Sequence, residues 1–181
     1  MRAAPRPSRP RARRAPKTTP RITIEIAAPS PRWRRAMPKV EEHAAAAARA
    51  ALAGAKLPRA KLLELSLVLA DDALVRRLNR RWRGKDRPTN VLSFASDEAA
   101  ADGRALLLGD VVLAYETVAR EAGAQGKTLA AHLAHLVTHG VLHLLGFDHQ
   151  EDDEAERMER RERRVLARLG IADPYREQTN G

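Results

Sequence analysis

Four stretches of the chain have the pattern of β-strands, and all of them end before residue 115. RITIEI at 21–26 alternates β-branched with polar residues, and LELSLVLA at 63–70 is a short apolar run. VLSFAS at 91–96 and ALLLGDVVLA at 105–114 follow, the last read as broken at Gly109. Everything beyond is helical in pattern: YETVAREAGAQ ending near Gly126, LAAHLAHLVTHGVLHLL capped by Thr128, and EDDEAERMERRERRVLARL. Two helices precede them, VEEHAAAAARAALAGA with acids in its first turn, and DDALVRRLNRRW, for which Asp71 and Asp72 offer a cap. Strands early and helices late predict an α+β domain, a mixed sheet of about four strands packed with helices in layers.

With 44% hydrophobic but only 3% aromatic residues, the core must be aliphatic, and 181 residues suit one modest domain. We expect that domain over 21–170, a disordered basic Pro/Arg-rich extension over 1–20 and a flexible tail over 171–181. The formal charge of +10 is concentrated in the extension: seven of the 33 basic residues lie in 1–20 with no acid, so the remaining 26 face 23 acids. Charge therefore allows a polyanionic partner without choosing one. No apolar run approaches the ~18 residues of a membrane span. The basic start lacks the hydrophobic stretch of a secretory signal, so a cytoplasmic setting is expected, with an organellar one as the alternative if 1–20 act as a transit peptide.

The chain has no cysteine, which excludes thiolate ligands and thiol nucleophiles. It has six histidines, and three of them fall in HGVLHLLGFDH at 139–149. His139 and His143 are four apart, so on a helix their side chains share one face and can converge on one ion. His135 lies on the same stripe, but roughly 12 Å of helical rise separates it from His143. A third ligand therefore needs a turn. Gly146 is suited to end the helix in a left-handed conformation and bring His149 back, giving the pattern HxxxHxxGxxH. Three neutral imidazoles leave a fourth tetrahedral position open, the layout of a catalytic zinc site. His132, His135 and His43 are read as structural histidines. Asp148 either orients an imidazole or shapes the turn.

The same spacing occurs in zinc proteases whose first histidine is followed by a glutamate base. Here that residue is Gly140, so peptide hydrolysis lacks its proton acceptor. The glycine either leaves room for a bulky substrate or serves helix packing. RRLNRRWRGKDRP sets Arg76, Arg77, Arg80, Arg81, Arg83, Lys85 and Arg87 around Trp82, which suits phosphate contacts and base stacking if Trp82 is exposed, or a solvated helix if Trp82 is core. GAQGKT at 123–128 is no phosphate-binding loop, because the required first glycine is Glu121. The last helix reads as docked through Ala155, Met158, Val165 and Leu169.

HGVLHLLGFDH, LNRRWRGKDRPTNVLSF at 78–94 and LGDVVLA at 108–114 together resemble the YbeY family of metal-dependent endoribonucleases, also called rRNA maturation factors. The resemblance runs from about Arg21 to Gly170. Ala95 stands where the family usually has proline, and His132 where it is often acidic. The resemblance implies one zinc ion held by His139, His143 and His149, and a catalytic arginine that falls on Arg83. It also implies single-strand-specific RNA cleavage, maturation of the small-subunit rRNA 3′ end and ribosome quality control. Partners would then be single-stranded RNA, rRNA and the small ribosomal subunit. Asp86, Asp110 and a zinc-bound hydroxide stay open as general bases. The rival readings are a zinc peptidase or amidase, and a non-catalytic RNA-binding assembly factor with structural zinc.

Overall fold

Alternation along the strands divides the protein into layers. The computed structural model describes residues 20–58, 60–96, 98, 105–147 and 151–176. In β2 (Leu62–Ala70), Leu63, Leu65, Leu67 and Leu69 are buried and the residues between them half-buried, the period-two pattern of a strand with one strongly covered face. β1 (Arg21–Ala27) lies beside β2 in parallel, β4 (Ala105–Ala114) lies parallel on the other side, and β3 (Val91–Ala95) pairs antiparallel with β4. The order is β1-β2-β4-β3, a four-stranded mixed sheet with β3 at an edge. The expected α+β architecture is thus observed.

Six helices cover the sheet among the described residues: α1 (Pro31–Ala36), α2 (Val40–Leu52), α3 (Asp72–Arg83), α4 (Tyr115–Ala124), α5 (Leu129–Leu144) and α6 (Asp152–Arg168). One sheet face, carrying the β2 leucines with Val111 and Leu113 of β4, packs on the alanine stripe of α2 and on Leu133, Val137 and Val141 of α5. Small Ala44, Ala47, Ala48 and Ala51 let α2 lie close to α5, and Val165 and Leu166 of α6 complete that layer. The opposite face, with Ala70, Leu92, Val112 and Ala114, is covered by α3 through Val75, Leu74 and Leu78.

Local signals set the ends of these elements. Asp71 Oδ1 accepts from the Leu74 amide at 2.8 Å to cap α3, and Thr128 Oγ1 accepts from Ala131 N at 3.1 Å to cap α5. Asp72 and Glu116 exchange bonds between the starts of α3 and α4: Asp72 accepts from Thr117 N and Oγ1, while Asp72 N donates to Glu116. Two details differ from the sequence reading. Gly109 does not break β4 but forms a bulge in it, with φ +123°, and a Cβ there would sit 2.0 Å from the Phe94 carbonyl oxygen. The short α1 is absent from the sequence reading; it begins with a proline in its first turn and buries Trp33, whose indole N–H donates to Ala70 O at 2.8 Å.

Candidate metal centre and RNA-facing surface

α5 is almost wholly buried, and three of its histidines find carboxylate partners inside the protein, His132 at Glu121 and both His135 and His139 at Glu162. It crosses β3 and β4 with Gly140 inward. A Cβ on Gly140 would come 2.6 Å from Val111 Cγ1 and 3.0 Å from Ser93 Oγ. The glycine therefore lets the helix seat on the sheet, and the space beside it is filled; the idea that it leaves room for substrate is corrected. The helix ends as expected. Gly146 takes φ +83°, and Phe147 N reaches back to Leu142 O at 3.0 Å.

On the half-buried side of α5 the imidazoles of His139 and His143 meet edge to face, with their Nε2 atoms 3.0 Å apart. Two nitrogens on one tetrahedral zinc at the usual bond length stand about 3.3 Å apart. The pair is therefore already close to the spacing one ion requires. His149 and Asp148 lie outside the described residues, and among the described residues no group of three or more His, Asp or Glu side chains is gathered tightly enough to hold a metal.

Behind the pair lies a residue the sequence reading missed. Glu162 of α6 is fully buried, and its Oε1 is 2.7 Å from His139 Nδ1. Its Oε2 is 3.2 Å from His135 Nε2 and accepts the Tyr175 hydroxyl proton. Burial alone would raise the Glu162 pKa, but the hydrogen bonds from His135, His139 and Tyr175 outweigh it and hold the carboxyl at about 2. An ionised carboxylate accepts only, so His139 carries a proton on Nδ1, and in its neutral form presents a lone pair at Nε2, toward His143. A carboxylate behind a ligating imidazole is the usual device for fixing tautomer and ring orientation. The clue in the sequence is spacing: Glu162 falls four after Met158 and three before Val165, on the inward stripe of α6.

His132 is buried and its Nε2 is 2.9 Å from Glu121 Oε2, while His135 turns to Glu162; both are hydrogen-bonded structural histidines, as expected. Burial pushes the His132 pKa down, partly offset by Glu121. Tyr175 donates to Glu162 and Ile171 packs on the core, so the segment through Arg176 is held. Lys127 of the GAQGKT stretch binds Gln125 Oε1 and the Pro174 carbonyl, in keeping with the exclusion of a phosphate-binding loop.

Arg83 ends α3, just before Gly84 at φ +67°, and makes no hydrogen bond or ion pair among the described residues. α3 and α5 lie on opposite faces of the sheet, so Arg83 and the histidine pair are not in one layer. They do flank the same stretch of edge strand: Phe94 of β3 faces Trp82 with ring centroids 6.1 Å apart, and its neighbour Ser93 faces Gly140, the residue after His139. Trp82 is 63% exposed, which removes the reading of it as a core residue. The two carboxylates among the candidate bases fare poorly. Asp86 is paired twice with Arg76 at 2.8 Å, which holds its carboxyl below the usual range, and Asp110 sits on the α3 side of β4, away from the histidines.

Known proteins place the chain in a family. The family model described as Endoribonuclease YbeY matches residues 32–170. A protein named Endoribonuclease YbeY from Paramagnetospirillum magneticum is 58% identical over 163 residues, covering 87% of this chain and 99% of its own length. Another of that name from Azorhizobium caulinodans is 54% identical over 156 residues, covering 85% and 96%. The solution structure of TM1509 from Thermotoga maritima shares 21% identity and a TM-score of 0.46 over 85% of this chain and 99% of that one, a likeness that adds nothing to the assignment. No helix among the described residues is long and apolar enough to cross a membrane. On the family match and these identities, the chain belongs to the YbeY family of endoribonucleases.

Proposed function

We propose that the protein is a single-strand-specific, metal-dependent endoribonuclease that processes ribosomal RNA, with the 3′ end of the small-subunit rRNA as its target, and that it works in the cytoplasm on the small ribosomal subunit. The observation that carries the metal-dependent part is the His139–His143 pair, Nε2 to Nε2 at 3.0 Å, with His139 held from behind by buried Glu162. The donor set fits the ion: imidazole nitrogens without thiolates suit zinc and its neighbours. We assign His139, His143 and His149 as ligands of one Zn2+.

When bound by these residues, the ion would supply Lewis-acid polarisation of a phosphate oxygen, a lowered pKa for bound water, or both. The remaining steps belong to the chain. Glu162 keeps the His139 proton on Nδ1. The cationic end of α3 attracts the RNA backbone, since seven basic residues from Arg76 to Arg87 face one acid, Asp86. Arg83 has no competing ion pair among the described residues, so its planar guanidinium is available to grip a phosphate and offset charge developing at phosphorus. The peptidase reading has no support from residue 140, a packed glycine, and the family is one of endoribonucleases.

The test compares single-stranded with double-stranded RNA of one sequence, with chelator and after zinc is restored. Metal-dependent cuts confined to the single strand are expected. Turnover of casein or peptides without RNA cleavage, or RNA cleavage that survives chelation, would contradict the proposal.

A further inference from the structure

Trp82 is the sole exposed large hydrophobic side chain among the described residues, and folding has left most of its indole in water. Its setting is firm. Val75 is buried on the sheet, Asn79 Nδ2 donates to Arg87 O at 2.7 Å, and Lys85 N reaches Asn79 O at 3.3 Å, so the end of α3 and the loop after it are tied together. The ring leans on Phe94 at a 58° tilt, and the Arg81 guanidinium lies 5.3 Å from its centroid. Arg83 is adjacent in sequence. Of the cations from Arg76 to Arg87, only Arg76 has an ion pair among the described residues.

An aromatic face left open on a rigid element, ringed by cations mostly without paired acids among the described residues, matches a nucleic acid strand that offers a phosphate chain and an unstacked base. We propose that Trp82 is a stacking subsite for an unpaired base of the RNA, next to the phosphate held by Arg83. This rests on the endoribonuclease reading and adds a cause for its strand preference: a base inside a duplex has both faces covered by its neighbours and cannot lie on the indole. Because Trp82 and the histidine pair flank edge strand β3, a strand wrapping that edge meets the stacking face and the cleavage site on its two sides.

The two tryptophans make the test direct. Trp33 is fully buried, whereas Trp82 is open, so a base stacked on the protein quenches Trp82 alone. The full-length chain is titrated, under chelator to prevent cleavage, with a single-stranded RNA oligonucleotide and with the same sequence as a duplex. Quenching by the single strand and little by the duplex is expected, and Trp82→Phe should abolish the signal while binding single strands more tightly than Trp82→Ala does. Trp82→Ala should weaken single-strand binding by about tenfold and, in the metal-loaded protein, raise KM more than it lowers kcat. Equal quenching by both forms, or Trp82→Ala binding single strands as the parent does, would overturn the proposal. So would a Trp82→Ala change in sedimentation with RNA affinity intact, which would make Trp82 a protein contact. A chain that cleaves no RNA at all refutes the broader function; intact cleavage with no quenching refutes only the stacking subsite.

Discussion

Replacing the Glu162 carboxylate with the amide of Glu162→Gln changes one heavy atom and should loosen the metal. Three donors converge on this buried carboxylate: His139 Nδ1 at 2.7 Å, His135 Nε2 at 3.2 Å and the Tyr175 hydroxyl. An amide has a single acceptor oxygen, so whichever way the new side chain turns, its NH2 group faces a donor. If NH2 faces His139, the imidazole must accept at Nδ1 and shift its proton to Nε2, where it blocks the ligand lone pair. A hydrogen bond to a charged partner is worth about 1.5–3 kcal/mol, or roughly 10- to 150-fold, and removing a carboxylate behind a metal-bound imidazole typically costs about 10–100-fold in affinity. Competition against a chromophoric zinc chelator should therefore show Kd rising by about one to two orders of magnitude. Circular dichroism of the apo variant checks the fold. Tyr175→Phe, which removes a donor and leaves the His139 bond in place, should keep near-parental affinity and guards against a folding artefact. A folded Glu162→Gln protein that binds zinc as tightly as its parent would refute this reasoning.

Further expectations follow from the same contacts. Gly140→Ala forces a methyl to within 2.6 Å of Val111 Cγ1, so chemical denaturation should show a loss of about 1–3 kcal/mol from overpacking. Arg83→Ala should keep the metal and lose RNA cleavage, and because the side chain is exposed and unpaired among the described residues, its melting temperature should not move. Thr128→Ala removes the α5 cap and should cost about 1 kcal/mol in urea unfolding. Glu162 titrates near 2 when folded, against an ordinary 4.5. Its contribution is thus complete above pH 4.5 and fades as pH falls toward 2, because the unfolded chain takes up the proton first. The Glu162→Gln variant should show a flatter acid limb in a stability–pH series.

The strands, the five longer helices and the glycine turn after His143 were legible because each is written in local chemistry: alternation in RITIEI, Asp71 and Thr128 as caps, Gly146 as the left-handed stop. The helical pair His139 and His143 was legible for the same reason, since a spacing of four fixes a common face. Helix α1 escaped because six residues carry too little periodicity, and its anchor is a tertiary bond from Trp33 to Ala70 O. Glu162 escaped because a glutamate in a helix crowded with charge looks solvated until three donors from other segments surround it. The role of Gly140 depends on Val111 and Ser93, which no spacing along the helix can announce. The relation of Arg83 to the histidines was hidden too, because it runs through an edge strand with α3 on one face and α5 on the other.

The central claim is that two turns of α5 and the segment after it gather three imidazoles on one ion. Metal analysis of freshly purified protein, beside His139→Ala, His143→Ala and His149→Ala, addresses it most directly. One equivalent of zinc in the parent, lost from each folded variant together with RNA cleavage, is the predicted result. A full equivalent retained when all three histidines are replaced would contradict it.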